Sequence, residues 1–142
     1  MSPDHYLDAR GKGEWSYDGN HDILFLKIRE REYAKSIDFE NLIIDIDTTG
    51  FATGIQLFDA SQLLKINKGA LRKIKDWEFR IKIENKLITV QLMFNITKRN
   101  NDLIQRGENF VRTSLSNLKN GEVVCSTNSS NQYERAMIAQ ER

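Results

Sequence analysis

The amino-acid sequence predicts a mainly β protein of the α+β class, built from antiparallel meander sheets with one or two short helices. The clearest observation is the segment 77–96, in which apolar and polar residues alternate on both sides of the turn Asn85-Lys86. Such alternation predicts a long β-hairpin with one buried and one solvated face. A second observation is the pair of short apolar runs at 23–28 and 42–46, each bounded by turn-forming residues. Together they indicate several short strands and few helices.

Length and composition are those of a single-domain globular protein. The chain has 142 residues, of which 39% are apolar and 29% charged, and a chain of this size can bury a core of its own. We expect a flexible arm at 1–13, one β-rich domain at 14–125 and a flexible tail at 126–142. Within the domain, we distinguish a first part at 14–62 from a second hairpin and its extension at 63–125.

The predicted location rests on features that the sequence lacks. No run approaches the roughly 18 apolar residues of a membrane span, and the first 15 residues contain no apolar secretion segment. Cys125 is the only cysteine, so an intramolecular disulfide is impossible. These features predict a cytoplasmic protein that has no membrane partner.

Charge is divided unevenly along the chain. Residues 1–60 hold 6 Lys and Arg against 12 Asp and Glu, whereas residues 61–125 hold 13 against 6. The balance is therefore −6 in the first segment and +7 in the second. A basic segment can serve nucleic acid or an acidic partner. Alternatively, two oppositely charged faces attract each other within the fold or within an oligomer.

The first half of the chain predicts four strands in succession. Residues 23–28 are apolar on both faces, which predicts a central strand covered on both sides. Residues 30–40 and 42–47 alternate, and 51–59 return as a strand that contains Gly54, which marks a bulge or a close backbone approach. The predicted core comprises Trp15, Phe25, Ile44, Ile55, Leu57, Trp77, Ile81 and Phe94.

The second half is less regular outside its hairpin. Asp59 or Ser61 can cap a helix that Lys68-Gly69 interrupts, which predicts two short helical turns. The segment 102–120 predicts a helix broken at Gly107, with apolar residues near helical spacing. These are Phe110, Val111, Leu115 and Leu118. The following segment "GEVVCS" predicts one last short strand, and the tail predicts a marginal terminal helix.

Residues 14–62 pair an opening Y-D-x-x-x-D-x-L with a closing D-x-D-x-x-G-x-x-x-G-I-x-[IL]-x-x-A-S. The opening is matched by Tyr17, Asp18, Asp22 and Leu24, followed by the aromatic Phe25, and the closing by Asp45, Asp47, Gly50, Gly54, Ile55, Ala60 and Ser61. This pairing resembles a widespread family of small prokaryotic domains of unknown function. The longer form, with a hairpin after Trp77, is similar to archaeal variants. The resemblance implies a partner-binding role and assigns no enzymatic activity.

The first polar cluster lies in the predicted turn before residue 23. Asp18, His21 and Asp22 offer oxygen and nitrogen ligands within five residues, so a metal site is conceivable. The same residues suit a turn, because Asp side chains accept backbone N–H groups and Gly19 and Asn20 tolerate positive φ. We favour the turn interpretation for this cluster.

The second polar pair is Asp45 and Asp47. Two residues apart on a strand, they are expected on the same face, close enough to share a cation or a proton. With His21 they are the candidates for a metal site, although the sequence predicts neither a metal, nor a cofactor, nor a catalytic residue. Ser61 lacks a suitable histidine partner, and the setting of Cys125 is typical of a buried small hydrophobe.

Basic residues of the second half supply a further candidate surface. Lys and Arg with nearby aromatic residues can bind a phosphate backbone and stack bases. The candidates for nucleic-acid contact are Lys65, Lys68, Arg72, Lys73, Lys75, Lys98, Arg99, Arg106 and Arg112. A solvated surface is the alternative, since the isoelectric point near 7.8 is below that of dedicated nucleic-acid binders.

The sequence thus favours a non-catalytic binding or assembly module that acts through protein–protein contacts. We expect it to self-associate through a strand edge or through complementary acidic and basic faces. The alternative is a nucleic-acid or ribonucleoprotein-associated factor that uses the basic second half. A third hypothesis is a metal-dependent enzyme centred on Asp45 and Asp47.

Overall fold

The computed structural model describes residues 5–97 and 103–128 and contains ten strands and two helices. The strands are β1 (Tyr6–Arg10), β2 (Gly13–Asp18), β3 (Ile23–Ile28), β4 (Tyr33–Asp38), β5 (Leu42–Asp47), β6 (Ala52–Phe58), β7 (Ile74–Glu84), β8 (Leu87–Thr97), β9 (Leu103–Thr113) and β10 (Gly121–Ser126). The helices are α1 (Ala60–Leu64) and α2 (Lys68–Leu71). The predicted mainly β class with one or two short helices is confirmed.

The strands form two five-stranded sheets. The first sheet has the order β2-β3-β6-β5-β4 and the second sheet has the order β1-β10-β7-β8-β9. Every neighbouring pair is antiparallel except β1 and β10, which run parallel. The described helices lie in the segment that leads from β6 in the first sheet to β7 in the second.

Both sheets contribute to one hydrophobic core. Leu24, Leu26 and Ile44 of the first sheet and Trp77 and Phe79 of the second are at most 1% exposed. The indole of Trp77 packs directly on β2, because a Cβ atom at Gly13 would lie only 2.6 Å from its Cη2 atom. Glycine at position 13 therefore allows a close approach between the two sheets.

The β7–β8 hairpin confirms the strongest signal of the sequence. Its strands are eleven residues each, and Ile81 pairs with Val90 and Phe79 with Leu92 on the core-facing side. The turn residues Asn85 and Lys86 have φ of 50° and 70°. Positive φ at both positions matches the right-handed twist of a two-residue hairpin.

Three expectations from the sequence are wrong, two of them in part. The predicted arm at 1–13 contains β1 and the start of β2; residues 1–4 lie outside the described residues. The helix predicted around Gly107 is the strand β9, which pairs along its whole length with β8. Phe25, predicted in the core, is half-buried on the opposite face of β3.

One prediction for the end of the described chain is confirmed. The segment "GEVVCS" is the strand β10, as predicted. Of the predicted tail, Ser126 ends this strand, and residues 129–142 lie outside the described residues. Among the described residues, no helix has the length and apolar character needed to cross a membrane.

Candidate functional site

The turn between β2 and β3 is shaped by Asp18. Its Oδ1 atom accepts the backbone N–H groups of Asn20 at 3.1 Å and His21 at 3.2 Å, and its Oδ2 atom lies 2.8 Å from Nδ1 of His21. These contacts lower the pKa of Asp18, the hydrogen bond with the His21 side chain being the largest cause. The geometry is that of an Asx turn, in line with the turn interpretation of this cluster.

Asp22 has a different role from its neighbours in the cluster. It is 7% exposed and adopts a φ of 55°. Its Oδ1 atom accepts hydrogen bonds from the hydroxyl of Tyr17 at 2.5 Å and the N–H of Ser61 at 3.0 Å, while Oδ2 accepts from Oγ of Ser61 at 2.6 Å. Its carbonyl oxygen also accepts the N–H of Ala60 at 3.0 Å. We call Tyr17, Asp22, Ala60 and Ser61 the Asp22 clamp, because they join the β2–β3 turn to the start of α1.

The electrostatics of the Asp22 clamp favour a permanent charge on the carboxylate. Burial alone would raise the pKa of Asp22, but hydrogen bonds from Ser61 and Tyr17 outweigh it, so the pKa lies below its usual value. Burial and the bond to Asp22 raise the pKa of Tyr17 to about 12. At neutral pH the carboxylate is a fixed acceptor and the phenol a fixed donor, which suits a structural link better than proton transfer.

Asp47 organises the turn between β5 and β6. Its Oδ1 atom accepts the N–H of Thr49 at 3.0 Å, the hydroxyl of Thr49 at 2.7 Å and the N–H of Phe51 at 2.9 Å. Its Oδ2 atom forms an ion pair with the guanidinium of Arg31, whose closest nitrogen is 2.6 Å away. Burial opposes ionisation, yet these bonds hold the pKa of Asp47 below its usual value. Gly50 completes the turn at a φ of 94°, a conformation that favours glycine.

Asp45 has its own set of partners. Its Oδ1 atom accepts hydrogen bonds from the Oγ hydroxyl of Ser36 at 2.7 Å and from the Nε2 amide of Gln56 at 3.1 Å. Gly54 lies opposite in β6, and a Cβ atom there would approach Oδ2 of Asp45 to 3.0 Å. The close approach predicted at Gly54 is therefore made by the side chain of Asp45, which occupies the space beside the glycine.

No metal centre comes together in the part of the chain that the structure describes. Asp45 and Asp47 have separate hydrogen-bond donors, and His21 interacts with Asp18 in the β2–β3 turn. Within residues 5–97 and 103–128, no group of three or more His, Cys, Asp or Glu side chains could hold an ion. Cys125 is fully buried, and burial raises the pKa of its thiol to about 12, which disfavours a reactive thiolate.

The basic residues of segment 65–75, which runs from the end of α1 into the start of β7, are exposed, but two of them contact the first sheet. Nζ of Lys68 donates to the carbonyl oxygen of Gly19 at 3.3 Å, and the guanidinium of Arg72 lies 6.0 Å from the ring centre of Tyr17. The positive segment thus packs on the turn that holds Asp18 and Asp22. The exposed side chains of this segment are Lys65, Lys68, Arg72, Lys73 and Lys75.

The remaining basic candidates are on β9 or outside the described residues. Arg112 is opposite Ile88, whereas Lys75 follows Ile74, whose partner is Ile96 at the other end of β8. Eight residues of extended strand separate these places by about 25 Å. Arg106 lies between them on β9, and Lys98 and Arg99 lie outside the described residues. The described basic residues therefore do not form one compact patch.

The outer face of the first sheet, turned away from the core, is the surface that sequence reasoning missed. In register, Ile23 of β3 lies opposite Phe58 of β6, and Gln56 of β6 lies between Phe25 and Ile43. All five side chains are partly exposed. The signal was the apolar character of both faces of β3, which predicted a covering layer that the described residues do not supply.

Acidic residues surround this apolar centre. Asp18 is opposite Ile23, Asp38 is opposite Ile43, and Asp45 is on the neighbouring row beside Gly54. Lys27, which is paired with Glu14 at 3.2 Å, is the basic residue of the β3 row. We call Ile23, Phe25, Ile43, Gln56 and Phe58 the outer patch.

Comparisons with known proteins match the first sheet to a family. A family model described as a protein of unknown function, DUF2283, matches residues 15–61, from within β2 to the Ser61 of the Asp22 clamp. A Methanosarcina mazei protein provisionally named a hypoxanthine phosphoribosyltransferase is 31% identical over 94 residues, 66% of this chain and 76% of that protein. An uncharacterised Methanocaldococcus jannaschii protein is 30% identical over 110 residues, 76% of this chain and 93% of the relative. No solved structure matches the chain.

Proposed function

The chain belongs to the DUF2283 family of proteins of unknown function, and on that premise we propose that it is a non-catalytic assembly module. It acts through protein–protein contacts, and its first partner is another copy of itself. The observation that carries this proposal is the outer patch, in which four partly exposed apolar side chains lie around Gln56 on the solvent side of the first sheet. Contiguous exposed apolar surface of this kind typically marks an interaction site.

The polar residues of the family motif support a binding role over a catalytic one. Asp18 and Asp47 shape turns, the Asp22 clamp joins a turn to α1, and Asp45 bonds to Ser36 and Gln56. A catalytic carboxylate usually faces a cleft and keeps a perturbed proton affinity suited to proton transfer. Here the carboxylates serve as acceptors within the fold, and recognition is left to the surface.

Charge complementarity favours a second copy as the occupant of the outer patch. Acidic side chains surround the patch, so two patches placed face to face would repel each other. Segment 65–75 has the opposite sign and exposes Lys65, Lys73 and Lys75. A second copy can therefore place its basic segment near the acidic rim, which gives a head-to-tail contact that ionic strength weakens.

The test is the molar mass of the purified chain in solution. Light scattering after size exclusion is run from about 1 to about 500 µM, at about 50 mM and about 500 mM salt. We expect the mass to rise with concentration and to rise less at the higher salt. A mass of one chain throughout would overturn the proposal.

A matched pair of substitutions assigns the contact to the outer patch. Phe25→Asp places a charge in the patch and is expected to weaken association at least tenfold. Leu87→Asp makes the same change at an apolar residue of the second sheet that is 45% exposed, and it is expected to leave association unchanged. Equal loss in both variants would contradict the role of the patch.

Two measurements, one of enzymatic activity and one of bound nucleic acid, separate this proposal from the other function classes. The name of the Methanosarcina mazei relative suggests incubation with hypoxanthine and a phosphoribosyl donor, and we expect no nucleotide to form. The nucleic-acid hypothesis predicts a raised ratio of absorbance at 260 and 280 nm that falls in high salt. We expect an ordinary protein ratio, and a salt-sensitive excess would favour the basic segment as a nucleic-acid surface.

A further inference from the structure

β9 stands at the edge of the second sheet. Within the described residues its single neighbour is β8, with which it pairs from Leu103 to Thr113. Eleven residues is long for an exposed edge, and the unpaired N–H and C=O groups of such an edge readily accept another strand. Such an edge therefore needs either protection or a partner.

The sequence of β9 is chemically symmetric about Gly107. On either side of this glycine stand Arg106 and Glu108, then Gln105 and Asn109. Ile104 and Phe110 come next. Each position has a counterpart of matching chemistry at the same distance: opposite charges, then two amides, then two apolar residues.

We infer that β9 pairs with β9 of a second copy in an antiparallel register centred on Gly107. This inference rests on the proposed self-assembly and assigns it a second contact, separate from the outer patch. The register places Arg106 opposite Glu108 of the second copy, Gln105 opposite Asn109 and Ile104 opposite Phe110. The two-fold symmetry repeats each pair, so the contact contains two Arg–Glu pairs and two apolar pairs.

The faces of the sheet are continuous in this arrangement. Arg106, Glu108 and Phe110 lie on the side of β9 that pairs with the buried β8 residues Phe94, Leu92 and Val90. Directly opposite residues of antiparallel strands point to the same face. Core-facing side chains of one copy therefore meet core-facing side chains of the other, and the two second sheets merge into one ten-stranded sheet.

Neighbouring registers that keep the faces aligned are disfavoured by charge. Centring the pair on Glu108 would place two Glu108 carboxylates opposite each other, and centring it on Arg106 would do the same with two guanidinium groups. Like charges directly opposite destabilise antiparallel pairs, whereas opposite charges stabilise them. The alternation of charge around Gly107 therefore selects one register.

The two charged side chains are available for this contact. Arg106 is exposed and Glu108 partly exposed, and neither has an ion-pair partner among the described residues. At the centre, Gly107 adds no side chain, and the sulfur of Met93 from β8 occupies the space where its Cβ would lie, at 2.6 Å. The two-fold axis thus passes through a residue that contributes no side chain of its own to the contact.

Charged residues on an edge also protect sheets from indiscriminate pairing. Arg106 and Glu108 both protect the edge and select its partner. Their charges disfavour pairing with other strands or in other registers, and they are complementary to the same residues of a second copy. An edge contact of this length is small compared with stable dimer interfaces, so we expect a dissociation constant in the micromolar range.

Cysteine cross-linking reads the register directly. Gln105→Cys and Asn109→Cys chains are purified separately, oxidised alone and as an equimolar mixture, and separated without reductant. The register brings residue 105 next to residue 109 of the other copy, within the Cβ separation that a disulfide spans. We expect a disulfide-linked dimer in the mixture and little in either single sample. Native Cys125 is fully buried and serves as the internal control in wild-type protein.

Charge reversal provides a second readout by sedimentation equilibrium. Arg106→Glu and Glu108→Arg each create two like-charge pairs and are expected to weaken dimerisation at least tenfold. Combining both in one chain, or mixing the two single variants, restores complementarity and is expected to restore the dimer. Lys82→Glu makes the same charge change on a strand with neighbours on both sides and should have no such effect.

The outcomes separate the two proposals. If wild-type chain associates but the mixed cysteine variants do not cross-link preferentially, and the charge swap does not restore the dimer, the β9 register is wrong while self-assembly stands. If wild-type chain is a monomer at every concentration, both are wrong. Cross-linking in the mixture together with rescue by the swap supports the register.

Discussion

The two sheets use their polar residues in different ways. In the first sheet, Asp22 and Asp47 are 7% and 3% exposed, and each accepts several hydrogen bonds from its own sheet or from α1. In the second sheet, Asp76 and Glu78 of β7 are buried, but charged side chains such as Lys82 and Arg106 lie on exposed surface, and Lys82 forms a 3.3 Å pair with Glu84. Exposed pairs of this kind contribute little to stability.

This difference separates what the family motif does from what the second half adds. Removing a partner from a buried, multiply bonded carboxylate leaves donors without acceptors, which is costly. Removing an exposed charge is nearly neutral for folding but changes what the surface attracts. Removing the buried carboxylates of the first sheet is therefore expected to lower stability, whereas removing the exposed charges of the second sheet is expected to change association.

The largest expected effect is that of Asp22→Ala. The change leaves the N–H of Ser61 without its acceptor and places alanine at a φ of 55°, so we expect a loss of about 3 kcal/mol in the free energy of unfolding. Tyr17→Phe removes one of the hydrogen bonds and is expected to cost about 1 kcal/mol. Urea denaturation measures both, with Lys82→Ala as the exposed control of the second sheet. An Asp22→Ala variant as stable as the control would contradict the role of the clamp.

Acid should destabilise the chain through the same carboxylates. Asp22 and Asp47 have pKa values lowered in the folded protein, so their contribution is fully present above the ordinary carboxyl value of about 3.9 and is lost as pH falls through the folded pKa. We expect the urea concentration at the midpoint of unfolding to decrease once the pH is lowered below about 4. In Asp22→Asn the fall should be smaller, because one of the two groups no longer titrates. A slope equal to that of wild type would show that other groups dominate.

A smaller effect is expected from Gly54→Ala in the first sheet. The added Cβ would lie 3.0 Å from Oδ2 and 3.4 Å from Cβ of Asp45, so Asp45 must shift and weaken its bonds to Ser36 and Gln56. We expect a cost of about 1 kcal/mol. In the Asp45→Ala background the same glycine substitution should cost less, and a double-mutant cycle by thermal or urea unfolding measures the coupling. Strict additivity would mean that the close approach has no energetic meaning.

The smallest effect is expected at Leu115 of the second half. Its side chain is 100% exposed in the connection between β9 and β10. Leu115→Ser should change the free energy of unfolding by less than about 0.5 kcal/mol. A larger loss would mean that this leucine is covered in solution, and its dependence on protein concentration would show whether a second copy covers it.

The sequence predicts most of the fold where side-chain periodicity is local. The β7–β8 hairpin alternates without interruption, and its turn residues adopt the positive φ that such turns need. β9 was missed because polar or charged residues stand on both of its faces and Gly107 resembles a helix break. β1 was missed because its partner β10 lies far away in the chain; Gly11 and Ser126, which extend that contact, are 115 positions apart.

The candidate site was predictable only in part, for a similar reason. The Asx turn of Asp18 involves neighbours two and three residues away, and pattern reasoning finds it. The bond between Asp22 and Ser61 spans 39 positions, so only the shared family motif connects the two residues in advance. The exposure of Phe25 depends on whether a second layer covers β3, which the periodicity of one strand does not determine.

The parallel pairing of β1 with β10 has a consequence for synthesis on the ribosome. Tyr6–Arg10 is the first strand to emerge, yet its neighbour, Gly121–Ser126, is the last of the described strands to be made. During translation the first strand must wait while the intervening strands fold, and contacts of such long range slow the final step. A nascent chain stalled before Gly121 should therefore expose the edge of β7 that β10 covers in the folded protein. Chaperones that recognise apolar strands are expected to bind at this edge.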